Sequence, residues 1–141
     1  ANMSQGIGGW PQREIGAAVS VGPSRSELPL ADRQVQPASF ELCLEEDADR
    51  LRASFLPVKD RRVADMLQEP GVEMHRVDLS VKGGAVLETG CVYLVPLQES
   101  LKLPNGISAR ANPKSSTGRI DVLTRLVTNR GSAFDVLAPS Y

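Results

Sequence analysis

Histidine occurs once in the 141 residues, as His75, with no second nitrogen ligand or paired thiol at a spacing that completes a zinc site. The same scarcity argues against Ser-His-Asp or Cys-His chemistry, because no nucleophile motif accompanies His75. A surface or strand-edge position is expected of it. Cysteine occurs twice, at Cys43 and Cys91, both in apolar alternating segments, where buried reduced thiols are expected. Aromatics make up only 4% of the chain, too few for a base-stacking platform. Neither sign of charge is in excess: sixteen Lys plus Arg face seventeen Asp plus Glu, for a formal net charge of −1. That balance excludes a broad nucleic-acid surface and leaves room only for a local basic pocket. No apolar run approaches the roughly 20 residues that span a bilayer. The first residues, Ala1-Asn2-Met3-Ser4-Gln5-Gly6, are polar and Gly-rich, unlike a secretory signal. No dinucleotide fingerprint, P-loop, internal repeat or low-complexity tract is found. What remains, with 41% hydrophobic and 23% charged residues, is the composition of a soluble, cytoplasmic, single-domain protein with neither nucleic acid nor membrane as a partner.

Residues 1–10 read as a disordered or tag-derived lead-in, with Met3 a candidate native start. Pro11 suits a first helical position, and Ile15, Ala18 and Val19 recur at helical spacing, so 11–20 is expected to be a short helix stopped by Gly22-Pro23. A proline-containing loop follows, to Pro37. From Ser39 the pattern alternates, with Phe40, Leu42 and Leu44 on one face of an expected strand. The run Glu45-Glu46-Asp47-Ala48-Asp49 reads as a solvated turn. Leu51, Ala53 and Phe55 alternate again up to Pro57. A short helix is expected around Val63, Met66 and Leu67, and a strand around Val77 and Leu79. Ala85–Glu88, Thr89-Gly90 and Cys91–Val95 read as strand, tight turn, strand. Pro104-Asn105-Gly106 signals another turn and Ile107–Ala111 another strand. Short strands at this spacing predict a mostly-β fold with a few short helices.

The chemistry-bearing stretch runs from Ala111 to Val127. Pro113 ends the preceding strand, Ser115 or Ser116 serves as N-cap, and Ile120, Leu123 and Val127 mark the buried stripe of the helix this predicts. The first turn of such a helix favours an anion through its N–H groups and dipole. Lys114, the hydroxyls and Arg119 around that end make a phosphate-binding constellation. Gly118 costs about 1 kcal/mol of helix propensity, which suggests that something approaches closely there. A plain capped helix with a solvated basic end explains the same residues.

The segment Ala111-Asn112-Pro113-Lys114-Ser115-Ser116-Thr117-Gly118-Arg119-Ile120-Asp121 resembles the signature of dCTP deaminases, in the dUTPase-like superfamily. Val35–Leu44 is similar to the family's first core strand, with Glu41 where Asp is more usual. Val86–Leu97 with Glu99–Pro104 is similar to its central hairpin, and Gln12–Ile15 to its opening helix. The likeness is greatest to the long, two-repeat bacterial enzymes. It implies a distorted dUTPase-like β-barrel, incomplete in this chain, with residues 11–141 forming the N-terminal part of a nucleotide-binding domain. It also implies a homotrimer with sites between subunits, and zinc-independent hydrolysis of dCTP to dUTP and ammonia, with Mg²⁺ on the triphosphate and no metal held by the protein. Lys114 and Ser116 would hold phosphates. Ser115 and Arg119 would face the attacked ring and its water. The family's aspartate-proline-glycine-aromatic motif corresponds to Ala138-Pro139-Ser140-Tyr141, making Ala138 and Tyr141 the expected nucleotide contacts. The general-base Glu that follows this motif has no counterpart here, since neither Glu88 nor Glu99 matches its position. The chain therefore reads as a truncated portion with little activity of its own. Rival readings are a dUTP pyrophosphatase or bifunctional enzyme, and a non-catalytic nucleotide-binding module.

Overall fold

The computed structural model describes residues 2–4, 19–21, 35–36, 39–57, 60–101 and 103–138. Among these, short strands dominate: β1 (Asn2–Ser4), β2 (Val19–Val21), β3 (Val35–Gln36), β4 (Ser39–Phe40), β5 (Asp47–Leu51), β6 (Glu73–Asp78), β7 (Val92–Leu94), β8 (Glu99–Leu101), β9 (Ser108–Arg110) and β10 (Val136–Leu137). Two short helices accompany them, α1 (Val63–Leu67) and α2 (Ser115–Gly118). The strands form a five-stranded sheet in the order β10-β9-β1-β4-β3, a pair β2-β8, and a three-stranded sheet β6-β5-β7. The mostly-β expectation holds, but the described sheets do not close into a barrel. No helix among the described residues is long and apolar enough to cross a membrane.

The main core lies under the five-stranded sheet, where Phe40, Leu103, Ile107, Ala109 and Leu137 cluster, with Leu42, Leu101, Ala111 and Leu126 packed against them. Strand periodicity explains the selection. Ile107 and Ala109 are buried while Ser108 and Arg110 between and beyond them are exposed. Leu137 lies directly opposite Ala109 and joins the same face. The turn before β9 is the expected one: the Ile107 N–H donates to the Pro104 carbonyl at 3.2 Å, and Gly106 has φ +83°. A positive φ at the third position is what a type II turn requires of glycine.

Several local readings give way to tertiary pairing. The acidic run is no solvated turn. Asp47 begins β5, the central strand of its sheet, and Asp49 is 3% exposed. Arg76 of β6 stands opposite it in the ladder, and its Nε donates to Asp49 Oδ1 at 3.2 Å. A buried carboxylate needs such a partner. The expected hairpin is also redrawn. Its turn is present, with Gly90 at φ +78°, but Ala85–Glu88 forms no strand and Val86 is 84% exposed. β7 pairs instead with β5, setting Arg50 opposite Tyr93. The alternation from Ser39 stays a strand only as far as Phe40; Leu44 makes an isolated bridge to Leu97 and is exposed. Likewise, the strand carrying Leu51 stops there, before Ala53 and Phe55.

Elsewhere some expectations survive and others do not. Helix α1 forms where the apolar spacing placed it, its first turn held by the Arg62 N–H to Asp65 Oδ2 (3.0 Å) and the Val63 N–H to Asn129 Oδ1 (2.9 Å). Val77 lies in β6, with Leu79 just past its end, and His75 is exposed on the same edge strand. Cys43 and Cys91 are only partly buried, where full burial was expected. Of the helix expected over 11–20, Val19 and Ser20 lie in β2, and 11–18 fall outside the described residues. Within the expected lead-in, Asn2–Ser4 forms β1, between β9 and β4.

Candidate active site

Strand β9 delivers the chain from the buried core to Lys114, whose extended backbone (φ −66°, ψ 138°) caps α2. The helix is a single turn. The N–H groups of Thr117 and Arg119 donate to the carbonyls of Lys114 (3.0 Å) and Ser115 (3.1 Å). It then closes abruptly. Asp121 takes a left-handed φ of +57°, its N–H bonds the Gly118 carbonyl at 3.1 Å, and the Val122 N–H reaches back to Thr117 at 3.3 Å. These two bonds are the pair of a Schellman motif, with Asp121 where glycine is usual. The helix expected to run on to Val127 therefore does not form. Ile120 is 71% and Leu123 82% exposed, so there is no buried stripe. A four-residue helix also has little dipole to offer, so any anion here would be held by side chains.

Those side chains are gathered in one turn. Lys114, Ser115, Ser116 and Arg119 are all exposed, and Ser115 and Arg119 stand at i, i+4 spacing on one face. Gly118 faces open space on the side a Cβ would occupy. The Lys114 ammonium pairs with Glu41 just after β4, Nζ to Oε1 at 3.1 Å. Behind the turn, Asp135 ties the following segment down. Its carboxylate accepts from the Arg125 guanidinium (2.6 Å) and the Leu126 N–H (2.8 Å), and its carbonyl accepts from the Ala111 N–H (3.0 Å). Asp135 also has a left-handed φ of +63°, a conformation Asp tolerates better than most residues. Sequence reasoning missed both Glu41 as a site neighbour and Asp135, because an isolated carboxylate in a loop carries no periodic signal.

Ala138 is not brought to this turn. It follows Leu137, paired with Ala109, and so lies toward the Ser108 end of β9, whereas the Lys114–Arg119 turn leaves from the Arg110 end. Tyr141 lies outside the described residues. Glu88 and Glu99 are engaged elsewhere. Glu88 pairs with Arg50 at 2.9 Å, and Glu99 accepts the Cys43 N–H at 2.9 Å. Arg50 also donates to Cys91 Sγ at 3.0 Å. Burial opposes its charge, but the attraction of Cys91, Glu88 and Tyr93 outweighs it, and the guanidinium is held above its ordinary pKa. The described residues contain no group of three or more His, Cys, Asp or Glu able to hold a metal ion.

Residues 5–141 match the family model of the 2'-deoxycytidine 5'-triphosphate deaminase (DCD) N-terminal domain. The chain belongs to this family. It is similar to the 2'-deoxycytidine 5'-triphosphate deaminase of Agrobacterium tumefaciens, whose crystal structure it matches with a TM-score of 0.77 and 49% identity, over 92% of this chain and 35% of that one. It is also 29% identical over 97 residues to the "dCTP deaminase, dUMP-forming" of Coprothermobacter proteolyticus, covering 67% of this chain and 48% of that protein. This deaminase-family domain thus spans less than half the length of either relative. Its mostly-β architecture accords with a dUTPase-like fold, and the Lys114–Arg119 turn lies within the matched region.

Proposed function

We propose that this chain is the N-terminal part of a cytoplasmic enzyme that hydrolyses dCTP to dUTP and ammonia. The observation that carries the reading is the exposed Lys114-Ser115-Ser116-Thr117-Gly118-Arg119 turn, presented by β9 within a deaminase-family domain. In the reaction, water adds across the C4–N3 double bond of the cytosine ring, forming a C4–O bond and placing one proton on N3. The water's second proton passes to the exocyclic amine, whose bond to C4 breaks to release ammonia as the C4 carbonyl forms. Lys114 and Ser116 hold the phosphates by charge and hydroxyl donation. Ser115 and Arg119, sharing one face, address the ring and its water, and Arg119 stabilises the charge that develops during attack. The donors of this turn are cationic and hydroxylic, which suits Mg²⁺ arriving on the triphosphate rather than an ion held by the protein. Mg²⁺ supplies charge neutralisation along the phosphate chain. A carboxylate base is still needed, and Glu88 and Glu99 are both committed to other partners. The reading therefore expects little or no turnover by the 141 residues alone, and assembly of copies into a trimer with sites between them.

The test is product analysis with dCTP, on this chain and on the chain extended by its downstream sequence. Ammonia and dUTP from the extended protein, lost on Arg119→Ala, support the assignment; nucleotide binding with no turnover in either form refutes it in favour of a binding module. One observation favours a second reading: the Coprothermobacter relative is named for forming dUMP. Pyrophosphate and dUMP appearing with the ammonia would establish the bifunctional enzyme.

A further inference from the structure

We propose that Glu41 is a built-in counter-ion that occupies Lys114 until a phosphate displaces it, so that one carboxylate sets how tightly the site holds its anionic ligand. This rests on the reading above, in which Lys114 binds phosphate. The contact is made by two exposed side chains, 66% accessible for Lys114 and 45% for Glu41, so both partners reach solvent and an incoming anion reaches the ammonium. Neither end is adrift. Glu41 directly follows Phe40, which is 2% exposed in the core, and Lys114 follows the segment leaving β9. In the sheet order β9-β1-β4 a single strand separates β9 from β4, about 10 Å from strand to strand, and Glu41 and Lys114 meet beyond the ends of those two strands. The carboxylate is thereby stationed at the phosphate-binding position by the fold, across 73 residues of sequence.

A phosphate oxygen hydrogen-bonded to the Lys114 ammonium comes within about 6 Å of the Glu41 carboxylate. Even if the ammonium's three donors engage both anions, like charges at that distance repel; if only one is held, Glu41 must leave. Either way, Glu41 weakens every phosphate ligand. Exposed ion pairs are worth little, so the penalty is modest and a triphosphate overcomes it.

The experiment is calorimetric titration of the chain with inorganic tripolyphosphate in EDTA, at low salt and at about 0.5 M salt. Glu41→Gln is expected to tighten binding about 2- to 5-fold at low salt, less at high salt, and not at all in a Lys114→Gln background. Unchanged or weaker binding by Glu41→Gln, while Lys114→Gln still loses affinity, overturns the counter-ion role and leaves the phosphate reading intact. Tightening that persists without Lys114 also overturns it, as a long-range charge effect. Loss of affinity on Glu41→Gln only when Mg²⁺ replaces EDTA identifies a magnesium contact instead. Binding indifferent to Lys114, or no binding by any form, refutes the underlying reading and the proposal with it.

Discussion

Truncating Phe40 and Leu123 separately to alanine sets the packing seen in the structure against the pattern seen in the sequence. Periodicity places both side chains in the interior. In the structure Phe40 is 2% exposed among Leu103, Ile107 and Leu137, whereas Leu123 is 82% exposed beyond the Schellman turn. Removing the Phe40 ring forfeits its full transfer free energy and leaves a cavity in the main cluster, about 3–5 kcal/mol. Leu123 keeps under a fifth of its surface buried. Full burial of a leucine contributes about 1.5–3 kcal/mol, so its truncation costs about 0.5 kcal/mol at most. Urea unfolding followed by far-UV circular dichroism reads both values from the midpoints, provided the slopes stay equal. For a chain of 141 residues the thermal counterpart is a fall of about 10 °C or more for Phe40→Ala and about 1–2 °C for Leu123→Ala. A Leu123→Ala loss above about 1.5 kcal/mol would show that the longer helix forms and buries its stripe. A Phe40→Ala loss below about 1 kcal/mol would show that the core lies elsewhere.

Three further outcomes are expected. Arg76→Met should destabilise the fold by stranding the buried Asp49 carboxylate, and adding Asp49→Asn should recover part of the loss; additive effects in a double-mutant cycle would refute the pairing. Asp121→Gly should stabilise by about 1 kcal/mol and Asp121→Val destabilise by at least as much, because only the former relieves the left-handed backbone; equal effects would remove the Schellman assignment. The Ser80 hydroxyl (2.6 Å), and then the Ser80 N–H (2.8 Å), hold the Asp78 carboxyl below its ordinary pKa. Asp78 thus contributes stability above the ordinary aspartate range, lost as pH falls through the depressed value. Ser80→Ala should raise the Asp78 pKa in a carbon-detected NMR titration and move acid unfolding to higher pH; an unmoved titration would contradict the contact.

Much of the candidate site was legible because its signals are local. Lys114, two serines, a glycine and Arg119 within six residues need no tertiary information to be seen as an anion-binding set. Their presentation was not legible. The apolar spacing of Ile120, Leu123 and Val127 mimics an amphipathic helix, and nothing in it announces that Asp121 accepts the left-handed conformation that ends the turn.

The sequence by itself determined the mostly-β class, helix α1, the turn at Pro104–Gly106, the strand after it and the grouping of cationic and hydroxylic side chains at residues 114–119. Each follows from backbone preferences and side-chain periods that act over a few residues. Tertiary structure decided which strand β7 pairs with, that Asp49 is buried against Arg76, and that Glu41 meets Lys114. Those choices join residues 27 and 73 positions apart in the two ion-paired cases, and they turn on which charges and edges the folded sheets bring face to face.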